Sequence, residues 1–261
     1  MTGRDKISAK EFGESATGTT QLSTRSPKIN SSATSGGTLA LSGGISAGTS
    51  GTKTISNLGT GSQSVTISGN IVNGSGTVAV TQNSATSTLV LSGANTYSGD
   101  TTINVGTLAL AAGATLPNTP NIFLVPRTSS SLIASTLDVS AAGSITLNSG
   151  QRIVGGANNA SLNNTAQVIG NVNAGNGTAL VPGGTNVINT LAINGDLTLS
   201  SGATIALDVS NSGSDLLTVN NLNVSGVTTL LITPPPGGLF AGDYTLITAS
   251  GTLGGSPVNF A

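Results

Sequence analysis

The chain contains no cysteine, no histidine and no tryptophan among its 261 residues. Without cysteine there is no disulfide, no thiolate nucleophile and no thiolate metal site. Without histidine a serine nucleophile has no usual general base, and the commonest transition-metal ligand is missing. Charge is equally scarce: 8 Lys and Arg stand against 9 Asp and Glu, a net charge of −1, and charged residues make up 7% of the chain. Phosphate binding draws on clusters of Lys and Arg, so this balance argues against nucleic acid as a partner. No apolar run approaches the ~18 residues of a membrane-spanning helix. The opening, MTGRDKISAKEFGES, lacks the hydrophobic stretch of a signal peptide. Aromatics are only 2%, so the core has to come from many small aliphatic side chains.

Glycine, serine, threonine and those aliphatics supply almost everything else. Disorder usually pairs high net charge with few β-branched residues, and this chain has the opposite pattern. The most informative stretch is 88–110, TLVLSGANTYSGDTTINVGTLAL. It reads as three short strands, 89–91, 101–104 and 107–110, each alternating apolar and small polar positions. Ser92-Gly93-Ala94-Asn95, Gly99-Asp100 and Gly106 separate them with residues that tolerate positive φ. Such a unit cannot bury its apolar face alone and becomes stable by stacking on copies of itself. Further strands begin every 11–14 residues from Gly36 onward, which predicts coils of roughly 20–30 residues. In 111–127, Pro117, Pro120 and Pro126 flank Ile122-Phe123-Leu124-Val125. That segment reads either as a loop excursion around one strand or as a corner of the stack with Phe123 packed inside.

The 88–110 stretch resembles the autotransporter-associated β-strand repeat of bacterial surface proteins. In that repeat a Leu-x-Leu-Ser-Gly-x-Asn-Thr-Tyr-x-Gly core leads into Thr-Thr-Ile-Asn-x-Gly-x-Leu-x-Leu. Leu89, Leu91, Ser92, Gly93, Asn95, Thr96, Tyr97 and Gly99 fall on the first part. Thr101, Thr102, Ile103, Asn104, Gly106, Thr107, Leu108 and Leu110 fall on the second. Asp100 departs from the pattern, where a small residue is usual. Gly195-Asp196-Leu197 and Val181-Pro182-Gly183 are similar to later passenger coils. The resemblance implies an all-β, single-stranded right-handed parallel β-helix (a β-solenoid) of the pertactin-like or adhesin type, in an exported passenger region. It also implies an outer-membrane barrel translocator in the full-length protein, and no barrel follows within this chain.

On this reading residues 1–30 form a disordered or appended tail; they hold Arg4, Lys6, Lys10, Arg25 and Lys28 with Asp5, Glu11 and Glu14. Residues 31–261 form the passenger fragment, with capping coils near 240–253 and a final strand at 241–247. Inward Asn95 and Asn104 are candidates for amide ladders. Long apolar strands in 197–249 predict that the C-terminal coils are the most stable part.

No catalytic, cofactor or metal site is expected. Gly44-Ile45-Ser46-Ala47-Gly48 matches a nucleophile motif, but no histidine accompanies it. The coil region offers Asp100, Asp138, Asp196, Asp208, Asp215 and Asp243 as carboxylates, with Lys53, Arg127 and Arg152 as cations. Asp100, Asp196, Asp215 and Asp243 lie at turns, where Asp caps local backbone. Asp138 and Asp208 alternate with apolar neighbours and point outward, and Asp196 and Asp215 are the pair spaced to meet on adjacent coils. The sequons at Asn73, Asn163 and Asn223 read as compositional. The function expected is a non-catalytic, extracellular or surface-displayed stalk engaged in adhesion, self-association or binding of a host ligand. The alternatives are a carbohydrate-active β-helix enzyme and an ice-binding solenoid presenting Thr66, Thr101-Thr102 and Thr228-Thr229.

Overall fold

The computed structural model describes residues 39–125, 134–156, 166–183 and 187–255, together with the backbone of three short strands, Lys6–Ile7, Thr20–Leu22 and Lys28–Ile29. Among these residues there are strands and turns and no helix. The strands stack in parallel as a β-solenoid.

Each coil visits three faces in turn. On the first face, Thr52–Asn57, Thr77–Asn83, the start of Thr101–Leu110, Asn121–Leu124, Arg152–Gly155, Ala179–Val181, Thr204–Ser210 and Thr229–Thr233 form one ladder. The second face runs from Leu39–Leu41 through Val65–Ile67 and Leu89–Leu91 to Ile247–Ala249. The third includes Ile45–Ala47, Ser144–Thr146, Asn171–Ala174 and Leu253–Gly255. Lys28–Ile29 pairs with Ser56–Asn57, and Thr20–Leu22 pairs with Ile45–Ala47.

Period-2 patterning gives this architecture its core. On the second face the inward column is Leu39, Val65, Leu89, Leu108, Leu137, Val168, Ile193, Val219 and Ala249, each directly over the last. The seven between the end members are buried. Burying such a side chain is worth roughly 1.5–3 kcal/mol, and each one is covered only because coils lie on both sides of it.

Several sequence expectations change in detail. The strands expected at 101–104 and 107–110 are one strand, Thr101–Leu110, that turns from the first face to the second. Gly106 makes the corner with φ +76°, and a Cβ there would collide with the Ser84 carbonyl oxygen. Asn121–Leu124 is an ordinary rung of the first face, paired on both sides, and not an excursion. Ile122 and Leu124 point inward and Phe123 points out, because Ile122 takes the register position of inward Thr101 and Ile153. Residues 241–246 carry no strand, and the last strands are Ile247–Ala249 and Leu253–Gly255.

Among the described residues the last coils are the least covered. Among the described residues the large exposed hydrophobics are Val227, Leu231, Ile232, Leu239, Phe240 and Leu253, all on the last coils. Ile232 sits in an inward register position, over buried Leu207, yet is 43% exposed. Within 197–249 the strands Thr204–Ser210 and Leu216–Val224 bury their inward apolar positions, whereas Thr229–Thr233 does not, so burial predicts that stability falls off beyond Val224.

Leu108 is fully buried and Thr107 faces outward. Leu108→Ala is expected to cost ~2–5 kcal/mol and Thr107→Ala less than ~0.5, measured by chemical denaturation. Equal costs at the two positions would refute the register. In hydrogen exchange, amides of the described strands between Thr101 and Leu207 are expected to be protected longer than those of 229–255.

Candidate functional site

The repeat residues at 88–110 build a buried polar corner. Asn95 is fully buried; its Oδ1 accepts from the Ile71 N–H (3.0 Å) and its Nδ2 donates to the Gly93 carbonyl (2.8 Å). It therefore ties its coil to the previous one through backbone, not through an amide ladder. Tyr97 is buried beside it, with its hydroxyl 2.7 Å from Thr101 Oγ1. Burial raises the phenol well above its ordinary range, so this ring is a neutral core member. Thr101 continues to Thr119 (3.2 Å), whose hydroxyl donates to the Gly99 carbonyl (2.8 Å). Asn104 lies on the outward side of its strand. The inward amide pair is instead Asn57 and Gln82, with Nδ2 to Oε1 at 2.8 Å, and both amides also reach the Ser87 carbonyl. Sequence reasoning missed this pair. Its signal was a polar residue in an inward position of two strands one coil apart.

Gln151 plays a related part at the corner that leads from the third face into the first-face strand Arg152–Gly155. Its Nε2 donates to the carbonyls of Leu116 and Thr119 (2.7 Å each), and its Oε1 accepts from the Asn148 N–H. A shallow groove beside it, between Thr115 and Ser144–Thr146, is lined by no titratable group.

The carboxylates do not assemble a reaction centre. Asp196 is exposed and accepts from Asn221 Nδ2 (2.6 Å), whereas Asp215 is 1% exposed and opposite Asn189. Asp196 points outward on the strand that leads to the third face, and Asp215 is turned into the corner between the first and second faces. One carboxylate faces solvent and the other is enclosed by backbone amides, so they do not line a common groove as a glycosidase pair does. Asp138 is turned outward and accepts from the N–H and hydroxyl of Ser140. Asp100 accepts from Asn121 Nδ2 (2.9 Å), and Asp243 is exposed. Arg152 is exposed on the first face, and Lys53 points inward, donating to the Ser50 carbonyl (2.7 Å). Ser46 is the outward residue of the strand Ile45–Ala47, not a residue on a sharp turn. Arg127 and Asn163 lie outside the described residues. Among the described residues no three His, Cys, Asp or Glu side chains group as metal ligands. The threonines considered for ice share no column: Thr66 is on the second face, Thr102 and Thr229 occupy different columns of the first, and Thr101 is buried.

Asp215 is the one carboxylate with a distinct environment. It follows a short hairpin in which Val209 opposes Ser214, at the corner between first and second faces. Its oxygens accept from the backbone N–H of Asn189 (2.7 Å) and of Asp208 (2.9 Å). One carboxylate thus joins two successive coils. Burial pushes its pKa up to about 6; the Asp208, Asn189 and Gly183 N–H groups pull it down, and the charge of Asp208 pushes it up. With no cation and no second inward carboxylate bonded to it, its chemistry is that of a backbone pin.

Residues 85–110 match the family model of the passenger-associated-transport-repeat. Match and fold together fit an autotransporter passenger. The matched residues include the buried corner around Asn95, Tyr97 and Thr101, so the repeat pattern records the packing of one coil and not a reactive site. No curated protein and no solved structure matches the chain.

Asp215 gives a pH prediction. Its folded-state pKa lies above its ordinary 3.8, so the folded state holds the proton more tightly than the unfolded chain. Its stabilising contribution is full below about pH 4 and is lost as pH rises through about 6. The stability difference between the wild type and Asp215→Asn is therefore expected to shrink as pH rises from 4 to 7. A difference that grows over that window would show that the N–H donors outweigh burial.

Proposed function

We propose that this chain is the non-catalytic rod of an autotransporter passenger, held outside the bacterial cell and acting by extended display, adhesion and self-association. The observation that carries the reading is the passenger-repeat match at 85–110, lying inside an uninterrupted parallel ladder of the first face that runs from Thr52 to Thr233. The division into a tail (1–30) and a rod (31–261) belongs to the same proposal, as does a linked outer-membrane barrel in the full-length protein. A solenoid suits this task because its length grows coil by coil while each coil needs only its neighbours, so it can fold progressively as it emerges.

The enzyme alternative is disfavoured by the scattered carboxylates, and the grooves described offer at most one, Asp208, beside the Pro234-Pro235-Pro236 turn. Fused to a secretion signal and a barrel translocator, the chain is expected to become accessible to external protease on intact cells and to increase cell-to-cell or cell-to-surface attachment. Retention inside the cell would overturn the localisation. Turnover of pectin, alginate or chitin-type polymers that is lost on Asp196→Asn or Asp215→Asn would overturn the non-catalytic reading.

A further inference from the structure

The ladder of the third face lapses at one step inside the stack. Below that step Ala94 bridges Thr115, and the Asn95 N–H donates to the Thr115 carbonyl (3.3 Å). Above it Ser144–Thr146 pairs with Asn171–Ala174, and the ladder continues to Leu253–Gly255. Among the described residues no backbone hydrogen bond joins Thr115 and its neighbours to Ser144–Thr146. A groove of about 260 Å³ opens between them, with Leu110, Ala114, Leu116 and Ile145 on its apolar side.

The backbone groups on the two walls are oriented by their other bonds. In a strand, successive residues turn their N–H and C=O toward opposite neighbours. The Leu147 N–H donates to the Asn173 carbonyl above (2.9 Å), so Ile145 and Leu147 face up while Ser144 and Thr146 face the groove. Thr115 faces down to Asn95, so the carbonyls of Ala114 and Leu116 face the groove from below.

One end of this interval is spanned by an amide. Gln151 Oε1 accepts from the Asn148 N–H of the upper wall (2.7 Å), and its Nε2 donates to the Leu116 carbonyl of the lower wall (2.7 Å). A peptide group of a strand running between the walls makes the same pair of bonds. An amide bonded on both sides sets the interval near two ladder spacings, about 9.6 Å. Gln151 is 3% exposed, so its amide is held there by the core and not by solvent.

We propose that this groove is a docking site for an extended, uncharged peptide strand of a partner protein, lying on the line that the Gln151 amide begins. The site goes beyond the display reading and stands without it. Both walls present backbone donors and acceptors at strand spacing, which is the chemistry that β-strand addition uses. The incoming backbone accepts from the Ser144 and Thr146 N–H groups above and donates to the Ala114 carbonyl below. Its inward residue meets Leu110, Ala114 and Ile145 and is small and apolar; the outward residues beside Thr115 and Thr146 are polar. No titratable group lines the groove, so a charged side chain entering it would go unpaired. Ser144–Thr146 offers about 10 Å of edge, some three residues, and a free peptide therefore binds weakly.

Nuclear magnetic resonance of the purified chain tests this. In the free protein the amides of Ser144 and Thr146 are expected to exchange at least tenfold faster than those of Ile145 and Leu147. A blocked peptide copying 170–175, GNVNAG, the segment that includes the rung above, is expected to shift and protect the Ser144 and Thr146 amides at millimolar concentration. The same peptide N-methylated along its backbone is expected to do neither. Thr146→Pro removes a groove-facing N–H and no ladder bond, and is expected to weaken binding at least tenfold with unchanged circular dichroism and melting. Thr146→Ala keeps that N–H and is expected to bind as wild type. Equal exchange of the four amides in the free chain would overturn the assignment, because the edge would then already be paired. So would no response to the peptide, an equal response to its N-methylated form, or binding that survives Thr146→Pro. A chitin oligosaccharide that shifts these amides where the peptide does not would also overturn it, since the groove would then take sugar acetamides.

Discussion

Every part of this molecule depends on one constraint: a coil has no covered interior until another coil lies on it. Leu108 is buried because Leu89 and Leu137 sit below and above it in the same column, and the same holds at each rung. The stabilisation is therefore between neighbours, with no central core to which distant segments contribute. Ile232 shows the converse. It occupies an inward position but remains 43% exposed, since no described strand covers it.

The same stacking forces a solution for polar groups at the corners, where the chain turns and ladder bonds lapse. Short polar side chains supply it. Asn95, Asn57, Gln82, Gln151 and Asp215 each bond backbone groups or amides of a neighbouring coil. Among the described residues one buried side-chain atom, Asn83 Oδ1, lacks a partner, which fits the high cost of leaving such groups unpaired. These inward polar residues look like candidate active-site groups in a sequence, and they serve as rivets between coils.

The protein's described carboxylates are scattered, apart from Asp208 and Asp215, which share one corner, and its passenger repeat encodes how a coil packs.

The sequence by itself determined the strand character, the parallel stacking and the scarcity of chemistry. Period-2 alternation and glycine corners are local properties, and a missing histidine or cysteine is absolute. It also carried the repeat at 88–110, because that pattern is set by contacts within one coil and its immediate neighbours. Only the tertiary structure decided which residues share a column. Coil lengths vary, from 19 residues between Leu89 and Leu108 to 31 between Leu137 and Val168, so alignment of outward positions cannot be counted off a regular period. A shift of one residue reverses inside and outside. For that reason the orientation of Phe123 and the burial of Asp215 beneath the Asn189 and Asp208 amides emerged only once the coils were stacked.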